Sequence, residues 1–89
     1  MKAEDLVGRY IKETSNTGTY WIDYIISTDG MRAKCEHIAS NEVGYECHGY
    51  LNVGAVLFGL RNERDDRMST WEDITKQYET QKEIEELIK

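Results

Sequence analysis

Proline is absent from this 89-residue chain, phenylalanine occurs once and cysteine only twice. The missing proline points to no particular function. The amino-terminal stretch Met1-Lys2-Ala3-Glu4-Asp5 has none of the apolar run of a secretory leader. Two cysteines in that context are expected to remain reduced thiols in a cytosol. No segment approaches the roughly 20 apolar residues of a membrane span. The longest apolar run is Val53 to Leu60, its glycines included. These features predict a cytoplasmic protein. Clustered glycines of the kind that open a phosphate-binding helix are also missing. Gly44, Gly49, Gly54 and Gly59 instead recur every five residues. That period fits neither a strand nor a helix face, and predicts bulges and bends in a curled sheet.

Positive charge is scarce. Eleven basic residues face seventeen acidic ones, for a net charge of -6 and an isoelectric point near 4.8. Phosphate binding rests on Lys and Arg, so this balance opposes a nucleic-acid or anionic-membrane surface and suits docking on a basic partner. The mean hydropathy of -0.68 is low because of charge, while the hydrophobic content of 39% is ordinary for a soluble domain. A chain of this length buries roughly 60–65% of its unfolded surface, which supports one domain, residues 1–89, with a modest core.

What the chain does have is polar aromatics. Eight of its nine aromatic residues are Tyr or Trp, set against the single Phe58. These side chains combine apolar area with a hydrogen-bonding tip and are enriched at interfaces, which favours a binding module over an enzyme.

The pattern predicts an α+β fold, with an antiparallel sheet of four to five strands and one long C-terminal helix packed on it. Ala3 to Val7 fits a short N-terminal helical turn or a lead-in to a strand. Strands are expected over Arg9 to Thr14, Thr19 to Ser27, Met31 to Ile38 and Tyr45 to Leu51. Asp29-Gly30 reads as a two-residue hairpin loop. That register places Tyr20, Ile22, Tyr24 and Ile26 with Ala33, Cys35, His37 and Ala39 on the buried face. Trp21, Asp23 and Ile25 then fall on the wetter face, with Asp23 opposite Glu36. The first hairpin leaves open whether Tyr10 or Ile11 faces the core. Ala55 to Leu60 fits a buried strand better than a helix, by its β-branched and aromatic content. Arg61 to Arg67 is a charged loop. Ser69-Thr70-Trp71-Glu72 matches a capping box, so the helix is expected to start there and run to about Ile88. Trp71, Ile74 and Tyr78 share its sheet-facing side. Its tail, with Ile84, Leu87 and Ile88, offers a route to a homodimer.

Candidate chemistry is thin. Cys35, His37, Cys47 and His48 form the most metal-like set, and one strand register sets Cys35 opposite Cys47. His48 follows Cys47 and points to the other face, and no Cys-x-x-Cys knuckle is present, so plain buried thiols are expected. A Cys-His nucleophile lacks an orienting group and an oxyanion hole. Asp65-Asp66 lies among balancing arginines. No catalytic residue, metal site or cofactor is therefore expected.

The expected working surface is an acidic, aromatic patch on the wetter sheet face, made of Trp21, Asp23, Glu36, Glu46 and Tyr50. Its rings supply anchor area and its carboxylates steer a basic partner. In size, charge and composition the chain resembles phage-encoded inhibitors of bacterial defence complexes, the anti-CRISPR-type proteins. That resemblance rests on no motif and transfers no residue role. It implies a non-enzymatic inhibitor that blocks a basic, nucleic-acid-contacting surface of a larger protein or complex. Two alternatives belong to other classes. One is a small-ligand (nucleotide) binding or sequestering protein with a pocket between sheet and helix. The other is a single-stranded nucleic-acid binder, with Trp21 and Tyr50 as stacking platforms beside a strip of Arg9, Lys12, Arg32 and Lys34.

Overall fold

A computed structural model describes residues 2–44, 49–61 and 69–88. Five strands form one antiparallel sheet: β1 (Tyr10–Thr14), β2 (Tyr20–Thr28), β3 (Arg32–Ser40), β4 (Tyr50–Asn52) and β5 (Thr70–Asp73), in the order β4-β3-β2-β1-β5. A 3-10 turn over Ala3–Leu6 leads in, helix α1 spans Val53–Leu60, and helix α2 spans Thr75–Ile88. The α+β class, the antiparallel sheet, the N-terminal turn and the C-terminal helix agree with the sequence pattern.

The core lies on one face of the sheet, called here the inner face. Leu6, Ile11, Ile25, Ala33, Val53 and Val56 form it, with Leu51, Leu57, Leu60 and Trp71 packed around them. The cover is therefore α1 and the N-terminal turn. The apolar run from Val53 is helical, against the strand expectation. Asn52 Oδ1 accepts a hydrogen bond from the Ala55 amide at 2.9 Å, which caps the helix start. Val53 and Val56, one turn apart, then point together into the core.

The β2–β3 hairpin forms, but its register differs from a two-residue loop. Thr28 pairs with Ala33, so four residues lie between these paired positions. Asp29 Oδ1 accepts the amides of Met31 and Arg32, at 2.9 and 2.8 Å, and Gly30 takes a positive φ of 95°. An Asx turn thus outcompetes the tighter turn at this sequence. Register shifts between Ile22 and Asp23 and between Ile25 and Ser27 then move the pairing within the strands. The consequence is a face exchange. Asp23 and Ile25 point inward with Ala33, Cys35 and His37, while Tyr20, Ile22 and Tyr24 point outward. In the first hairpin Ile11 faces the core at 1% exposure, and Tyr10 faces out.

Residues 70–73 form a strand, not the first helical turn. Thr70–Asp73 pairs with the free edge of β1, from Thr14↔Thr70 to Ile11↔Asp73. Long-range backbone pairing outweighs the local Ser69–Glu72 capping signal. The helix start shifts to Thr75, whose amide and hydroxyl both donate to Asp73 Oδ1, at 3.0 and 2.6 Å. None of the residues of α2 is buried. Its contact with the sheet is outward, where Tyr78 stacks on Tyr10 at 4.2 Å and Tyr10 meets Tyr24 at 4.8 Å. Ile84, Leu87 and Ile88 are exposed.

Candidate functional site on the inner sheet face

Directly paired residues in an antiparallel ladder project to the same side of the sheet. Glu13 pairs with Trp21 on β2 and with Trp71 on β5. Trp21, Glu13 and Trp71 therefore make one row across three strands, on the same side as Ile11. All three side chains are half-buried. The Trp21 indole N–H donates to Glu42 Oε2 at 2.7 Å, and Trp71 packs against Gly59 of α1.

The next row holds Ile11, Asp23 and His37. Asp23 is 4% exposed, the one buried charged residue among those described. No hydrogen bond reaches its Oδ1. His37 Nδ1 lies 3.5 Å from it, an ion-pair contact when the imidazole is protonated. Burial raises the Asp23 carboxyl above its ordinary range, against the opposing charge of His37. Burial also raises Glu13, where a hydrogen bond with the Ser69 side chain opposes the shift and the Asp23 charge adds to it. Two carboxylates thus share a partly dehydrated face, each made more basic by its surroundings. Such groups concentrate at functional sites because ionised, under-satisfied carboxylates cost stability.

The patch read from the sequence is divided between the faces. Trp21 and Asp23 lie on the inner face. Glu36, paired with Tyr24, and Tyr50, paired with Lys34, lie on the outer face. Glu46 lies outside the described residues. Asp23 therefore faces His37 in place of Glu36. The residues that the sequence reading missed are Glu13 and Trp71. The alternation of Ile11 and Glu13 was the available signal, but it could not be used until the first hairpin had a register.

Cys35 is buried, and its amide donates to the Gly49 carbonyl at 2.8 Å. Cys47, His48, Asp65 and Asp66 lie outside the described residues. No cluster of three metal-ligating side chains occurs among the described residues.

The outer face carries five of the six tyrosines, namely Tyr10, Tyr20, Tyr24 and Tyr50 from the sheet and Tyr78 from α2. Lys12 lies over the Tyr20 ring at 4.9 Å, and Arg32 over Tyr50 at 5.5 Å. Strand β2 separates Lys12 from Arg32 and Lys34, and Arg9 pairs with Asp73 at 3.3 Å, so the four basic residues form no continuous strip.

No protein-family model matches the chain, nor does any curated protein or solved structure. No helix among the described residues is long and apolar enough to cross a membrane.

Proposed function

We propose that this chain is a protein-binding module without catalytic activity, and that its inner-face row receives a basic surface of a larger protein or complex in the cytoplasm. The observation that carries this reading is Glu13 set between Trp21 and Trp71. Indoles provide desolvated anchor area, and a carboxylate between them selects positive charge. The net charge of -6 steers encounter with the same kind of partner. Blocking a nucleic-acid-contacting surface, as anti-CRISPR-type inhibitors do, follows from the same chemistry.

The test is capture of partners from the native host by the tagged chain, compared with its variants by quantitative mass spectrometry. A partner held by the parent and by Tyr50→Ala, but released by Trp21→Ala and Glu13→Gln, supports this reading. Retention by both inner-face variants counts against it.

The outer face favours a second reading. Lys12 over Tyr20 and Arg32 over Tyr50 pair a cation with a ring, as single-stranded nucleic-acid platforms do. Binding of oligonucleotides at physiological salt, abolished by Tyr20→Ala with Tyr50→Ala, would support that reading and displace the first.

A further inference from the structure

We propose that the outer sheet face carries a small anion site, at the corner where β2, β3 and β4 meet, that takes the phosphate group of a phosphomonoester. The site lies across the sheet from the inner-face row and stands or falls independently of the protein-binding reading.

Register builds the pocket. Ser27 pairs with Lys34, and Lys34 pairs with Tyr50, so the three form one row across β2, β3 and β4. Ala33 is buried in the core, so its neighbours Arg32 and Lys34 both point outward. Together with Thr28 and Asp29 of the hairpin, these residues line a pocket of about 230 Å³. Pockets for drug-sized ligands begin at roughly 300 Å³, so this one suits a small group.

Its positive charge is available. Among the described residues, neither Arg32 nor Lys34 forms an ion pair. Arg32 lies over the Tyr50 ring, 5.5 Å from its centroid. A stacked guanidinium keeps its N–H edge free, and that edge matches two oxygens of one phosphate. Lys34 adds a second cation, and the Ser27 hydroxyl, opposite it in the row, supplies a further donor. Asp29 is the one carboxylate in the lining, and it is committed to the turn. Its Oδ1 accepts the amides of Met31 and Arg32.

The extent of the cationic patch decides between a single phosphate and a nucleic-acid strand. Glu36 follows Lys34 on the same face of β3, and Asp29 stands at the hairpin end, so carboxylates bound the two cations on both sides. Lys12 lies beyond β2. A strand needs contacts with successive phosphates, which these carboxylates and the net charge of -6 oppose. One phosphate group needs only Arg32 and Lys34.

The test is a titration of the 15N-labelled chain with inorganic phosphate, adenosine monophosphate and a thymidine oligonucleotide, against sodium chloride at matched ionic strength. Phosphate and the mononucleotide should shift the amides of Ser27, Arg32, Lys34 and Tyr50 saturably, at roughly millimolar affinity, as suits two exposed cations. Arg32→Gln and Lys34→Gln should each weaken binding about fivefold. Lys12→Gln, the same charge change on the same face, should leave it unaltered. Tighter binding of the mononucleotide than of phosphate, lost in Tyr50→Ala, would support the site with a nucleotide as its source. Equal affinity would support it with the phosphate group alone. No saturable phosphate shift, an equal response to chloride, or an equal loss in Lys12→Gln would each overturn the site. Oligonucleotide binding tighter than that of the mononucleotide and dependent on Lys12 and Tyr20 would also overturn it, in favour of a continuous platform. The phosphate–chloride comparison uses the unaltered chain, so it decides even where a variant fails to fold.

Discussion

Gly59 of α1 lies directly against the indole of Trp71 on β5, so close that a Cβ at residue 59 would overlap the ring. This contact joins the covering helix to the edge strand and fixes one wall of the inner-face row. The nearest Trp71 atoms include its own Cβ, which cannot swing aside as a flexible side-chain end would.

Gly59→Ala is therefore expected to destabilise the fold, although alanine is the better helix former by about 1 kcal/mol. Overpacking of this kind costs about 1–3 kcal/mol and should outweigh that gain. Trp71→Ala removes a half-buried ring that packs against the core, and should cost about 3 kcal/mol. Urea denaturation followed by circular dichroism checks both. A Gly59→Ala variant more stable than the parent would show that α1 and β5 do not meet as described.

Asp23 sets the pH dependence of stability. Burial raises its native pKa above the ordinary 3.8. Between 3.8 and that raised value, the native state holds a proton that the unfolded chain has already released. Stability therefore falls as pH rises through this window and is level above it. Glu13, raised from 4.5, acts in the same direction. Asp23→Asn keeps the shape and removes the charge, so it should stabilise the protein at neutral pH by about 1 kcal/mol. The two proteins should converge in acid, where Asp23 is protonated in both states. Loss of stability at neutral pH in Asp23→Asn would mean that the ionised carboxylate is satisfied. A gain in stability coupled to a loss of binding would mark Asp23 as held for function.

The Tyr78–Tyr10 stack and the hydrogen bond from the Tyr10 amide to Thr75 Oγ1, at 2.9 Å, tie α2 to β1, and α2 buries no residue of its own. Aromatic pairs contribute about 0.5–1.5 kcal/mol beyond their buried area. Tyr78→Ala should release the helix and speed amide exchange from Thr75 to Ile88. Protection in β1, β2 and β3 should be unchanged. Hydrogen exchange read by mass spectrometry distinguishes this from a global loss of stability, which would place α2 in the cooperative core.

The sequence carried the elements whose signals are local. The β2–β3 hairpin followed from Asp29-Gly30 between β-rich runs, and the inward set Ala33, Cys35 and His37 followed from alternation along β3. The faces of β2 did not follow, because the bulges at Ile26 and Ile38 change the register within the ladder and leave no compositional trace. A run such as Val53 to Leu60 satisfies strand and helix periodicities alike, and only the Asn52 cap and the space over the core decide for a helix. Strand β5 was hidden for the opposite reason: its local signal is helical, and its pairing partner lies 56 residues away at Thr14↔Thr70. The candidate site shared that fate. Trp21 and Asp23 were visible as residues of interest, but Glu13 and Trp71 join them only through the β1 register and the β5 pairing.

The central claim is that the inner face, through Glu13 and its two tryptophans, binds a basic partner. Its most direct test is the association rate of the captured partner with the parent and with Glu13→Gln and Trp21→Ala, measured across a range of salt. The account predicts slower, less salt-dependent association for Glu13→Gln and mainly faster dissociation for Trp21→Ala, with folding intact by circular dichroism. Parental kinetics in both folded variants, alongside loss of binding in Tyr20→Ala or Tyr50→Ala, would contradict it and move the working surface to the outer face.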